Sequence, residues 1–132
     1  MKNLMYEFYI AGSPEAVWKA LISPESTKQI YYGSIIRSTF QVGDLLEYEP
    51  NQLLRFTHYP GKSYMKDDRA FESRISYILK PIGSCTKLIL IHDQWKEDDP
   101  YYENSNKAWW MILNNTKTLV ETGSTLDFGE IS

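Results

Sequence analysis

The stretch WWMILNNTKTLVETGSTL, Trp109 to Leu126, decides how the rest of this 132-residue chain is read. Trp109, Ile112, Leu113, Thr116, Leu119 and Val120 recur three and four residues apart, which gathers them on one face of an α-helix. Glu121-Thr122-Gly123 closes it, because glycine takes the left-handed backbone of a helix end without the strain a Cβ imposes. A long helix with one apolar stripe needs a layer to bury that stripe, and almost everything upstream is patterned as β-strand. The sequence therefore predicts a terminal helix laid on an antiparallel sheet, with functional side chains between the two layers.

Working back to the start, residues 3–11 alternate, with Leu4, Tyr6, Phe8 and Ile10 on one side and Met5, Glu7 and Tyr9 on the other. That is a half-buried strand. Ser13-Pro14-Glu15-Ala16 supplies a serine N-cap and a proline at the first helical position, and Val17, Trp18, Ala20 and Leu21 the buried face of a short helix. Ser23-Pro24-Glu25 repeats the signal, so a second short helix is expected to about Gln29. Ile35 to Phe40 reads as a strand ended by Val42-Gly43-Asp44, and Leu45 to Glu49 as another, broken by Pro50-Asn51. Leu53 to Tyr59 follows, and Pro60-Gly61-Lys62 opens a polar loop. Phe71 to Leu79 alternates, with Phe71, Ser73, Ile75, Tyr77 and Leu79 on one face. Pro81-Ile82-Gly83-Ser84 then turns the chain into Thr86 to Trp95, completing a hairpin. The acidic stretch Lys96 to Asn104 reads as a loop. With no repeat or linker, residues 1–132 are expected to form one α+β domain with a meandering antiparallel sheet.

Aromatic residues make up 14% of the chain, with ten tyrosines and four tryptophans; such rings line apolar cavities or sit half exposed on strands. A formal net charge of -3 gives no basic footprint for nucleic acid. Cys85 is the single cysteine, which excludes an intrachain disulfide and a Cys-rich metal set. Met1-Lys2-Asn3-Leu4 runs straight into a strand carrying Glu7. No signal peptide or membrane span is read there, and a cytoplasmic protein without membrane attachment is expected.

Three segments resemble the START-like or SRPBCC superfamily with its helix-grip fold, and within it the branch related to the C-terminal domain of the activator of the heat-shock protein 90 ATPase. They are Ile10 to Leu21, Thr86-Lys87-Leu88-Ile89-Leu90-Ile91-His92, and Trp109 to Gly123. The resemblance implies a curved antiparallel sheet wrapped around a long C-terminal helix, with two short helices after the first strand. One departure stands out. Members of the branch usually carry about one more strand and a turn after the segment resembling Val42-Gly43, whereas here Gly43-Asp44 runs almost directly into Leu45. The sheet is expected to be shorter at one edge, and any cavity smaller or more open. Thr116 stands where the pattern commonly has leucine, placing a hydroxyl on the buried helix face, back-bonded to a carbonyl or turned to a cavity.

His58 and His92 are the only histidines. His92 shares parity with Leu88 and Leu90, and His58 with Leu54 and Phe56. Each reads as a general base or polar anchor, or as a strand histidine bonded to a nearby carbonyl or tyrosine. Two histidines and one cysteine in no recognised spacing give no metal site. Cys85, beside Gly83 and Ser84 with no base assigned to it, reads as structural. Asp67-Asp68 and Glu97-Asp98-Asp99 read as solvated loop charges, and Arg74 as outward-facing. Gly12-Ser13-Pro14 is a cap and lacks the spacing of a phosphate loop. No cofactor is implied. The candidate ligand-binding set between sheet and helix is Tyr6, Phe8, Phe56, His58, Phe71, Tyr77, His92, Trp95, Trp109, Ile112, Leu113 and Thr116, which would wall a pocket or fill a core.

Three functions compete. The first is a noncatalytic binding module holding a small hydrophobic ligand between sheet and helix. The second is a chaperone-associated, stress-response interaction protein using exposed aromatic pairs such as Tyr31-Tyr32 or Tyr101-Tyr102. The third is a cyclase- or hydrolase-like enzyme on an apolar substrate, for which His92 with Tyr77 is the only pair to nominate. No triad, metal set or cofactor loop supports the third, which ranks last. Partners expected are a small hydrophobic ligand, a chaperone or other protein, and no nucleic acid; the chain would be a monomer or dimer.

Overall fold

The computed structural model describes residues 3–23, 40–60, 72–95 and 102–126. Five strands, β1 (Leu4–Ile10), β2 (Phe40–Glu49), β3 (Leu53–Pro60), β4 (Ser73–Ile82) and β5 (Cys85–Asp93), pair antiparallel in the order β1-β5-β4-β3-β2. Two helices, α1 (Pro14–Ile22) and α2 (Tyr102–Thr122), pack against it. The α+β helix-grip arrangement expected from the sequence is present. The second short helix near Ser23-Pro24-Glu25, the polar loop after Pro60 and the acidic runs at 67–68 and 97–99 lie outside the described residues.

The first strand and helix form as their residues dictate. Leu4, Tyr6 and Ile10 are buried and Phe8 partly so, while Met5, Glu7 and Tyr9 are exposed. Ser13 accepts the Ala16 amide at 3.1 Å, Pro14 takes the first helical position, and Val17, Trp18, Ala20 and Leu21 are the buried residues of α1. The β4–β5 hairpin is in register from Arg74↔Asp93 to Ile82↔Cys85.

Three boundaries differ from the sequence reading. Phe40 and Leu45 belong to one strand: Val42-Gly43-Asp44 does not end it but is absorbed as register shifts against β3, the local irregularity of a β-bulge. Strand β4 continues through Pro81 to Ile82, leaving only Gly83 and Ser84 as the turn, with Gly83 at φ 58°. Proline is tolerated there because β3 pairs with β4 only as far as Ile78, and the Leu79 amide, on the same side, already bonds the turn carbonyl of Gln52 at 2.9 Å. The missing N–H falls where that ladder has ended. Finally, α2 begins at Tyr102, not Trp109. Asn104, Ser105 and Asn106 are weak helix formers, so the first two turns are carried by packing that local propensity does not reveal. The far end is as expected: Gly123, at φ 86°, sends its amide to Leu119 O at 2.8 Å.

Side chains from α2 also finish the edge of β1. Lys117 Nζ donates to Tyr9 O at 2.7 Å, Glu121 accepts the Ala11 amide at 2.7 Å, and the two pair with each other at 2.6 Å. Beside this clamp, Gly12 lies so close to the helix that a Cβ built on it would sit 2.6 Å from Val120 Cγ1. Gly12→Ala is therefore expected to lower stability by roughly 1–3 kcal/mol in denaturant unfolding, with part of the loss recovered in Gly12→Ala/Val120→Ala. The Ala11 amide, and after it Lys117, hold the Glu121 carboxyl below the usual carboxylate range. A group depressed on folding stabilises above its unfolded value and loses that contribution as pH falls through the folded one. The acid-side fall in melting temperature should accordingly be shallower in Glu121→Gln than in the unchanged protein.

Candidate functional site

The inner face of the sheet is built in rows that register sets. Leu54, Tyr77, Leu90 and Tyr6 lie side by side across β3, β4, β5 and β1; Phe56, Ile75, His92 and Leu4 form the next row. Onto these rows α2 lowers Ala108, Trp109, Ile112 and Leu113, and all but Leu54, which is partly buried, are buried. Trp109 meets Tyr77 edge-on at 6.2 Å between ring centroids, and Tyr77 lies against Phe56 at 6.1 Å.

His92 is the one imidazole of this face whose surroundings are described, and it has no exposed area. The Trp109 indole N–H reaches its Nδ1 at 2.9 Å, and Ser73 Oγ stands 2.7 Å from its Nε2. An indole nitrogen only donates, so Nδ1 carries the lone pair and the proton of the neutral ring sits on Nε2, donated to Ser73. Trp95 covers the imidazole, with ring centroids 3.9 Å apart, and its own Nε1 bonds His92 O at 2.9 Å. Gln94, at φ 61°, ends β5 and brings Trp95 back over it. Tyr102, half-buried at the start of α2, closes edge-on against Trp95 at 4.9 Å.

This wiring bears on chemistry. A serine nucleophile needs a histidine nitrogen that can take its proton, and here the nitrogen facing Ser73 already holds one. The neighbouring tyrosine is equally unreactive: Tyr6 donates to Asn106 Oδ1, and burial, with Tyr102 nearby, pushes its hydroxyl up to about 12. It is a neutral donor throughout the ordinary pH range.

Of the twelve candidate residues, Tyr6, Phe56, Tyr77, His92, Trp109, Ile112, Leu113 and Thr116 are buried. All of these but His92 and Thr116 belong to one apolar cluster, with Phe8 and Trp95 partly buried against it. Thr116 Oγ1 donates to Ile112 O at 2.8 Å, the back-bonded alternative. The His58 backbone pairs with Val42 and Ser73; its side chain lies outside the described residues, as does Phe71. Tyr102, read as half of an exposed pair, instead supports Trp95; Tyr31, Tyr32 and Tyr101 are not described. Ser73 was legible as an inner-face residue, but nothing in a lone serine announces its bond to His92. Arg74 faces the outer side as expected, held there by two bonds to Asp93 at 2.8 and 2.7 Å that keep its guanidinium firmly protonated. A separate groove of about 720 Å³ opens between Pro14 and Glu15 of α1, the β2–β3 turn and the end of β4; none of the twelve lines it.

No family model matches the chain, and no curated protein matches it. Solved structures do. The chain is similar to the Aha1 dimer from Colwellia psychrerythraea (17% identity, TM-score 0.69, covering 93% of this chain and 98% of that one). It is likewise similar to protein MLL2253 from Mesorhizobium loti (18%, 0.72, 90% and 96%) and to CalU16 from Micromonospora echinospora (15%, 0.69, 92% and 77%). The chain therefore has the helix-grip fold of START-like, or SRPBCC, proteins. Among the described residues, no helix is long and apolar enough to cross a membrane.

Trp109→Phe keeps the ring but strips the donor from a buried nitrogen, and should cost about 1–3 kcal/mol in denaturant unfolding. His92→Leu removes the acceptor. If the bond carries the effect, Trp109→Phe should cost distinctly less in the His92→Leu background, a coupling that a double-mutant cycle measures.

Proposed function

We propose that the protein is a noncatalytic binding module that holds a small hydrophobic molecule between the inner face of the sheet and α2. The observation that carries this reading is the state of His92. The inner face offers an imidazole, but Trp109 and Ser73 occupy both its nitrogens, and the side chains around it are overwhelmingly apolar. Such a lining recognises a ligand by shape and by area removed from water. At its margins Phe8, Leu54, Trp95, Tyr102, Leu119 and Val120 are only partly buried, which leaves apolar surface for first contact. The enzyme reading needs a free acid or base, and both nitrogens of His92 are already engaged. The interaction-protein reading draws on the shared fold with an Aha1 structure, and a coupled ATPase assay with the cognate chaperone tests it directly.

A panel of fatty acids, flavonoids and aromatic polyketides, followed by thermal shift, is expected to yield at least one ligand that raises the melting temperature. Binding to the folded state at a hundred times Kd adds about 2.7 kcal/mol. Leu113→Trp, which adds bulk between helix and sheet, should abolish the shift. A panel without any stabilising ligand, or shifts that survive Leu113→Trp, would count against the reading.

A further inference from the structure

The two edges of the sheet are built differently. At one, β2 carries register shifts between Val42 and Leu45 and between Leu45 and Glu47; irregularity of this kind discourages pairing with another strand. At the other, β1 is regular over all seven residues, each in register with β5. The carbonyl of Tyr9 and the amide of Ala11 bond to Lys117 and Glu121, so they point away from β5. By the alternation of an antiparallel ladder, the backbone N–H and C=O of Met5 and Glu7 point the same way. Among the described residues nothing bonds them. Large apolar side chains flank this open segment. Met5 is 56% exposed and Tyr9 54% on the outer face of the sheet, and Trp110 is 51% exposed on the helix side. The Trp110 ring rests on Tyr6 and Phe8 at 4.9 and 5.9 Å.

We propose that this edge is a docking surface for a second copy of the chain, β1 pairing antiparallel with β1 about a two-fold axis at Tyr6. The register follows from the strand's own sequence. Centring the pair on Glu7 would set two carboxylates directly opposite each other, which is unfavourable. Centring it on Met5 would overlap the strands only from Leu4 to Tyr6. Centring it on Tyr6 overlaps Leu4 to Phe8, lets Met5 and Glu7 exchange backbone hydrogen bonds with the second copy's Glu7 and Met5, and sets Leu4 against Phe8 at either side. It also brings Trp110 of each copy, packed on its own Tyr6, to the axis, where half-exposed indole surface is covered. The clamp explains why pairing stops there: beyond the overlap, Lys117 and Glu121 already stand in for a neighbouring strand at Tyr9 and Ala11. Tyr6 and Phe8 border both this edge and the ligand site, but Met5 lies on the opposite face of β1, so the Met5 variants report on association alone and a failed ligand panel leaves them to decide it.

Sedimentation velocity across a concentration series tests this, with melting temperature as a control for folding. The unchanged protein is expected to show a concentration-dependent monomer–dimer equilibrium. Met5→Pro removes an outward N–H that the β1–β5 ladder does not use and should weaken the dimer about tenfold or more, since each copy loses a bond. Charge reports the register: Met5→Lys would face the second copy's Glu7 and tighten association, and Met5→Glu would face the same carboxylate and loosen it, each by about threefold or more. Should Met5→Pro lower the melting temperature, the two charge variants decide alone. A monomer at every concentration up to about 1 mM, or Met5→Lys and Met5→Glu acting in the same direction, would overturn the proposal.

Discussion

A buried imidazole must find partners for both nitrogens, and how His92 finds them sets much of this structure. The indole of Trp109 satisfies one side from α2 and Ser73 the other from β4, so a single ring ties the helix to the two central strands. A lost partner would leave a polar atom dry, at a cost comparable to a sizeable part of a small domain's stability. The bond therefore fixes the rotation of α2 about its axis. With Trp109 turned to His92, Ile112 and Leu113 must face the sheet, and Trp110, one residue on, must lie over the outer margin of β1.

The same bond decides what Ser73 and His92 can do together. Seen only as a pair of side chains 2.7 Å apart, Ser73 and His92 would suggest a nucleophile and its base. The third member reverses that inference, because an obligate donor on Nδ1 forces the proton onto the nitrogen that a serine would need free. Proximity alone is thus a poor guide to function here, and proton bookkeeping a better one.

Much of the fold was legible in the chain because its signals were local. Alternation gave β1 and the β4–β5 hairpin, Ser13 with Pro14 gave the start of α1, and Gly123 gave the end of α2. The misses were tertiary in origin. The first turns of α2 carry poor helix formers and are held by Tyr6 bonding Asn106 and by Trp95 packing on Tyr102. Val42-Gly43-Asp44 resembles a turn, yet pairing with β3 draws it into a bulged strand. The site was legible as a list of inward-facing apolar residues, since parity alone supplies that. Its wiring was not: nothing in the spacing of Ser73, His92 and Trp109 states which nitrogen meets which partner.

The attachment of α2 is uneven along its length. Near one end it is fastened by Lys117, Glu121 and the close approach of Val120 to Gly12. Near the other it is fastened by Asn106 and Trp109. Between them lie the buried Ile112, Leu113, a self-bonded Thr116 and Asn115, whose Oδ1 accepts the Leu126 amide at 2.9 Å. Directional bonds are lost over a small displacement, whereas dispersion contacts fall off more gradually. A rod tied by directional bonds near both ends keeps its register on the sheet, so a change of side-chain volume at midspan is felt there first.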